Sequence, residues 1–172
     1  MRTIAFDLSL TRTGFAVDQE VYPPTTGVLV PPKGITGTQR LAWIRDSVCS
    51  EIHSAEAELV VIEGYSYASQ HQAHQLGELG GVIRLALHDD CIPLVVVQPS
   101  ALKRFATGKG NAKKEDMLVA AVKRLGYQGS DHNEADALFL LHMALLQQGR
   151  CAVPFPKEQA AAIAGVEWKE AA

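Results

Sequence analysis

Three carboxylates interrupt apolar sequence where a charge is costly: Asp7 after Ile4–Phe6, Glu63 after Leu59–Ile62, and Asp136 before Ala137–Leu141. Burying a carboxylate is unfavourable unless it is paired, hydrogen-bonded or holds a metal. Taken singly, each has a plainer use. Asp7 and Glu63 can cap the turns that follow them, and Asp136 suits the first turns of a helix, where the dipole favours negative charge. Taken together, several oxygens converging on one spot repel each other without a cation. Hard divalent ions such as Mg²⁺ or Mn²⁺ suit oxygen ligands and typically keep waters. Two such ions close together would activate a water and steady the leaving oxygen in phosphodiester cleavage. Asn133 and His132 lie one turn before Asp136 on the same helical face and are candidates for a fourth ligand.

These residues converge only if the elements carrying them do. Arg2–Leu8 reads as a strand apolar on both faces, hence central in a sheet. Thr11–Gly14 has turn chemistry, and Phe15–Val17 returns as the second arm of a hairpin. Gly27–Val30 lies between two proline pairs and reads as a third short strand. Thr36 or Thr38 can cap a helix with Leu41, Ile44, Val48 and Ile52 on its apolar face. Glu58–Glu63 is a fourth strand and Ile92–Val97 a fifth, joined by a helix from about Gln70 to Asp89. Pro99 and Gly108 bracket a short helix over Ser100–Thr107. A basic amphipathic helix is expected over Asn111–Leu125, and a further one over Asp131–Gln148. The order predicts one α/β domain over residues 1–149, with an antiparallel β1-β2-β3 meander and then helix-linked parallel strands. Parallel first and fourth strands would bring Asp7 and Glu63 to the same sheet edge. Residues 150–172 read as an extension, with a small terminal helix over Lys157–Ala164.

The 172-residue chain carries a net charge of −3, unevenly spread. Between Lys103 and Arg124 lie seven basic residues (Lys103, Arg104, Lys109, Lys113, Lys114, Lys123, Arg124) against only Glu115 and Asp116. One basic region on an acidic body is a candidate phosphate-binding face. Gly108 and Gly110 allow close backbone approach there, and the lysines supply counterion-release affinity. Cys49, Cys91 and Cys151 lie far apart without CxxC spacing, which indicates neither zinc nor a disulfide framework. No run approaches the ~18 apolar residues of a membrane helix, and the N-terminus opens into a strand rather than a signal peptide. A cytoplasmic setting is expected.

FDLSLTRTGFAV, VVIEGY, AHQLGELGGVI, ALKRFATGKGNAKKEDM and NEADALFLLHMAL occur in that order over residues 2–148. In sequence and spacing this resembles the RuvC family of Holliday junction resolvases. The acidic motifs alone indicate the ribonuclease H-like superfamily; the lysine block narrows the likeness to RuvC-type resolvases. The resemblance implies a ribonuclease H-like fold with a five-stranded mixed sheet flanked by helices, a homodimer, and Mg²⁺-dependent paired nicking of four-way DNA. Two ions per site are implied, with Mn²⁺ able to replace Mg²⁺. It places Asp7, Glu63 and Asp136 on the family's metal-ligand carboxylates and Lys103 and Lys114 on its functional basic residues. Arg104, Lys109 and Lys113 belong to the same block. The departure is at Asn133, where the family has Asp or His; His132, Asp131 and Glu134 are the candidate substitutes, of which His132 shares the face of Asp136 and Glu134 does not. The acidic balance and this Asn suggest a phage or divergent member. Tyr65 and Tyr67 follow Glu63 and can stack on bases at an opened crossover or pack on the domain. Gly77, Gly80 and Gly81 suit either a helix–helix dimer contact or packing on the sheet. The competing functions are a nuclease acting on RNA-containing duplexes and a non-catalytic junction-binding protein.

Overall fold

The apolar runs at residues 3–7 and 59–63 become the two strands at the middle of the sheet, because both of their faces must be covered. The computed structural model describes residues 1–19, 21–64 and 73–168. Strands β1 (Thr3–Asp7), β2 (Thr13–Val17), β3 (Thr25–Leu29), β4 (Leu59–Glu63) and β5 (Leu94–Val97) form one sheet in the order β3-β2-β1-β4-β5. β1 pairs antiparallel with β2, and β2 with β3; β1–β4 and β4–β5 are parallel. The expected meander and parallel half are therefore both present.

Alternation along the strands sorts side chains onto two faces. Ile4, Phe6, Val60 and Ile62 pack against α1 (Gly37–Ser54) and α2 (Ala73–Asp89) through Ile44, Val48, Ile52, Leu79, Ile83 and Leu87. Ala5, Ala16, Leu59, Val61, Val95 and Val97 face the other layer. That layer consists of α3 (Pro99–Thr107), α4 (Lys114–Ala120, continued by a π turn over Ala121–Leu125) and α5 (His132–Gln147). α5 is buried on all sides from Ala137 to Leu145, so it is a central helix rather than an amphipathic surface one. It lies directly over the small pair Ala5 and Ala16, which sit opposite one another in the β1–β2 ladder.

Several boundaries differ from the sequence reading, each for a local reason. The basic helix starts at Lys114 rather than Asn111, because the Lys113 amide donates to the Asp116 carboxylate at 3.1 Å and sets the helix start there. Asp131 caps α5 instead of opening it, accepting from the Asn133 and Glu134 amides at 2.9 and 3.1 Å. The third strand is Thr25–Leu29 rather than Gly27–Val30, since its full length pairs with β2. The fifth begins at Leu94, after Pro93. In α2, Gly80 is buried, whereas Gly77 and Gly81 face outward. The terminal segment folds back over α3 and α5. Phe155 stacks on Phe105 with ring centroids 4.2 Å apart, and Ala162 and Val166 join the core. Its expected helix is a single turn, α6 (Lys157–Ala160), followed by a 3₁₀ stretch over Ala161–Gly165.

Candidate active site

Asp7 and Glu63 are the last residues of the neighbouring parallel strands β1 and β4, whose register runs to Phe6 opposite Ile62. Asp7 shares the face of Ala5, and Glu63 that of Leu59 and Val61, so both point toward the α5 layer. The third carboxylate arrives from α5. Gly14 pairs with Asp7 across the hairpin, and a Cβ at Gly14 would collide with the Asn133 backbone and meet Glu134 N at 2.6 Å. Only a residue without a side chain lets the first turn of α5 press onto the sheet at this level. As a result, one carboxylate oxygen each from Asp7, Glu63 and Asp136 lies within 4.8 Å of the others. Among the described residues no other group of three or more His, Cys, Asp or Glu side chains converges in this way.

The electrostatics of the cluster are strained. Burial, followed by the charges of Glu63 and Asp136, drives the Asp7 carboxyl well above the usual range. Glu63 is pushed up to about 7, mainly by burial and then by Asp136. Asp136 is pushed up to about 6, also by burial. Two lysines oppose this: the Lys114 charge acts on all three carboxyls, and Lys103 on Glu63 and Asp136. Asp136 Oδ1 is buried and bonds no group of the protein. An all-oxygen donor set, mutually repelling and with one unsatisfied buried oxygen, fits a hard divalent cation.

A clamp fixes the start of α5. The Arg12 guanidinium in the β1–β2 turn pairs with the Asp131 carboxylate, and Asn133 Nδ2 donates to the Arg12 carbonyl. Burial raises the Asp131 carboxyl, but the Arg12 bond and the Glu134 and Asn133 amides outweigh it, so the net shift is downward. Tyr127 donates its hydroxyl to Glu134. Asn133, expected as a fourth ligand, therefore spends its amide nitrogen on the hairpin. His132 lies outside the converging group; its Nδ1 sits 3.3 Å from the Lys114 carbonyl, although its charge still bears on Asp136. Arg12 was not among the residues singled out from the sequence. Its partner is 119 positions away, and an arginine in a turn carries no signal of its own.

Of the basic block, Lys103 is half-buried beside the carboxylates, while Arg104, Lys109, Lys113 and Lys114 are exposed on α3, α4 and the turn between them. Tyr65 and Tyr67 lie outside the described residues. No helix among the described residues is long and apolar enough to cross a membrane.

Residues 4–144 match the family model for the crossover junction endodeoxyribonuclease RuvC. The RuvC endodeoxyribonuclease of Anaeromyxobacter sp. (strain Fw109-5) is 35% identical, over 96% of this chain and 84% of that protein. That of Rhodococcus jostii (strain RHA1) is 31% identical, over 81% and 78%. In fold, the chain is similar to Thermus thermophilus RuvC, with a TM-score of 0.68 at 20% identity over 90% of this chain and all of that one. It is also similar to T. thermophilus RuvC in complex with Holliday junction substrate, with a TM-score of 0.69 at 21% identity over 90% and 99%. With the family model spanning most of its length and relatives above 30% identity aligned over most of theirs, the chain belongs to the RuvC family of crossover junction endodeoxyribonucleases.

Proposed function

We propose that this chain is a structure-selective, divalent-metal-dependent endonuclease that resolves four-way DNA junctions by paired nicking and leaves 5′-phosphates. The observation that carries the reading is the convergence of Asp7, Glu63 and Asp136 within 4.8 Å at the end of the central strands. Asp7, Glu63 and Asp136 would hold two Mg²⁺, with Mn²⁺ able to replace them. Bound there, the ions supply Lewis acidity that activates water and stabilises the leaving oxygen. The chain's own groups do the rest. Lys114 and Lys103, whose charges already reach the carboxylates, neutralise the scissile phosphate and hold it in line. Arg104, Lys109 and Lys113 engage flanking phosphates from the same α3–α4 unit. The Arg12–Asp131–Asn133 clamp holds Asp136 against Asp7.

A two-fold dimer would present two such sites to opposing strands of a symmetric junction. Supporting it, Gly77, Gly81 and Leu85 share one face of α2 at four-residue spacing. Both glycines look onto open space, and Leu85 is 62% exposed. The catalytic unit spans residues 1–149, with 150–172 as an extension whose described part, residues 150–168, packs on the helical layer.

Labelled four-way and linear DNA, incubated with Mg²⁺ or Mn²⁺ and mapped to nucleotide position, tests the reading. Paired nicks confined to the junction are expected, and Asp7→Asn should bind it without cutting. Cleavage retained by Asp7→Asn would sink the metal assignment. Binding without nicks at any metal concentration would make the chain a junction-binding protein, and preferential cutting of an RNA-containing duplex would change the substrate class.

A further inference from the structure

A wide groove lies away from the carboxylates. It runs along the outer face of α4, between the end of α3 and residues 154–159, and encloses about 790 Å³. Lys109, Lys123 and Arg124 line it, against a single carboxylate, Asp116, one of whose oxygens already accepts from the Lys113 amide. Arg124 lies over the Phe155 ring at 5.2 Å, and Phe155 is stacked from its other neighbour, Phe105. The guanidinium is thus fixed in place, yet its Nη1 is buried without a hydrogen-bond partner. Gln159, also on the lining, has a carboxamide oxygen in the same state. The two ends of a carboxamide can exchange by rotation, so Gln159 can present an N–H to an incoming acceptor. An immobilised donor without an acceptor, beside two further cations, describes an anion site. Val119, Pro154 and Pro156 provide apolar walls that suit the faces of a sugar.

We propose that this groove is a second DNA contact, taking the phosphate backbone of a junction arm through Lys109, Lys123 and Arg124. The inference rests on the resolvase reading and extends it to residues outside the catalytic edge. Two observations favour DNA over other anions. Lys109 belongs both to the groove and to the basic block beside the active site. α4 also links the two places directly: its first residue, Lys114, acts on the carboxylates, and its far end carries Lys123 and Arg124. Ten residues of helix from Lys114 to Arg124 span about 15 Å. At about 3.4 Å per nucleotide along one strand, that is four to five nucleotides from the scissile phosphate.

The test neutralises those phosphates. Four-way junctions are built with uncharged methylphosphonate linkages about four to five nucleotides from the cut, on each side in turn. The wild-type protein should bind one patched junction about tenfold more weakly, the worth of one charge-assisted hydrogen bond. Lys123→Ala, at an exposed position, should already show that loss on the unpatched junction and lose nothing further on the patched one; melting checks its fold. Its salt slope should fall by about one. Equal patch effects in both proteins, or none in either, overturn the proposal. So does competition by an acidic peptide or a free nucleotide that Lys123→Ala abolishes while the patch has no effect. Wild-type protein that binds no four-way DNA at all overturns the resolvase reading, and this one with it.

Discussion

Removing divalent metal should make the stability of this protein fall as pH rises, and the carboxylate cluster gives the size of the effect. Glu63 moves from an ordinary 4.5 to about 7, and Asp136 from 3.8 to about 6. A group whose folded-state pKa is raised contributes stability that is fully present below its unfolded value and lost as pH climbs through the folded one. The metal-free fold should therefore lose on the order of 3 kcal/mol from Glu63 between pH 4.5 and 7, and on the order of 3 kcal/mol from Asp136 between pH 3.8 and 6. Because Glu63 and Asp136 repel each other, the two losses overlap and their sum is an upper bound. Asp7 shifts in the same direction and adds to the same slope. For a domain of this size, about 3 kcal/mol corresponds to a melting temperature lower by roughly 6–12 °C. Thermal melts in chelator at pH 5 and pH 8 measure it, and repeat melts with Mg²⁺ complete the comparison. The cation takes the place of the protons, so it should raise the melting temperature strongly at pH 8 and little at pH 5. Asp136→Asn should flatten the metal-free slope by removing one of the repelling charges. A metal-free melting temperature that is level or rises from pH 5 to pH 8 would refute the reasoning, as would a Mg²⁺ increment independent of pH.

Three further outcomes follow from the same geometry. Gly14→Ala should cost about 1–3 kcal/mol by overpacking against the Asn133 backbone; because the displaced turn carries Asp136, junction cleavage should drop by more than the melting shift accounts for. Asn133→Asp removes the amide donated to the Arg12 carbonyl and adds a fourth negative charge, so calorimetry should show tighter Mg²⁺ binding and melting in chelator at pH 8 should show lower stability. Lys114→Ala should lower the salt slope of junction binding by about one and raise the metal-free pKa of all three carboxyls, which a carbonyl-region infrared titration would register.

The parts of this structure that were legible in the sequence are those written in local periodicity. Thr3–Asp7 and Leu59–Glu63 are apolar on both faces, which makes them central strands, and their parallel pairing puts both carboxylates at one edge. The apolar run Ala137–Leu141 marks the helix that carries Asp136, while the burial of that helix on all sides emerges only from the structure. What stayed hidden depends on contacts between distant positions. That Asn133 bonds the Arg12 carbonyl, and that Arg12 holds Asp131, follows from how closely α5 approaches the hairpin; the approach depends on Gly14, a residue that reads as ordinary turn chemistry. The groove along α4 was equally hidden, because it needs the 154–159 segment to fold back, and the prolines there indicate only where regular structure stops.

The clamp explains how a cluster that opposes folding persists in the fold. Three carboxylates whose protons are held by burial and mutual repulsion would separate if their supports could move, since a shift of α5 by one or two ångströms would relieve most of the Coulomb cost. Two of those supports, β1 and β4, cannot move independently, because they are neighbours in the centre of one sheet. The third is a helix end, the part of a helix most prone to fray. In this chain that end is held four ways: Asp131 caps it, Arg12 pairs with the cap, Asn133 bonds the hairpin, and Tyr127 holds Glu134. Placing Asn rather than a carboxylate at position 133 also keeps a fourth negative charge out of an already overcharged site. Asn133 thereby strengthens the frame holding the three carboxylates, and Asn133→Asp tests charge and frame separately because one should be read in metal affinity and the other in metal-free stability.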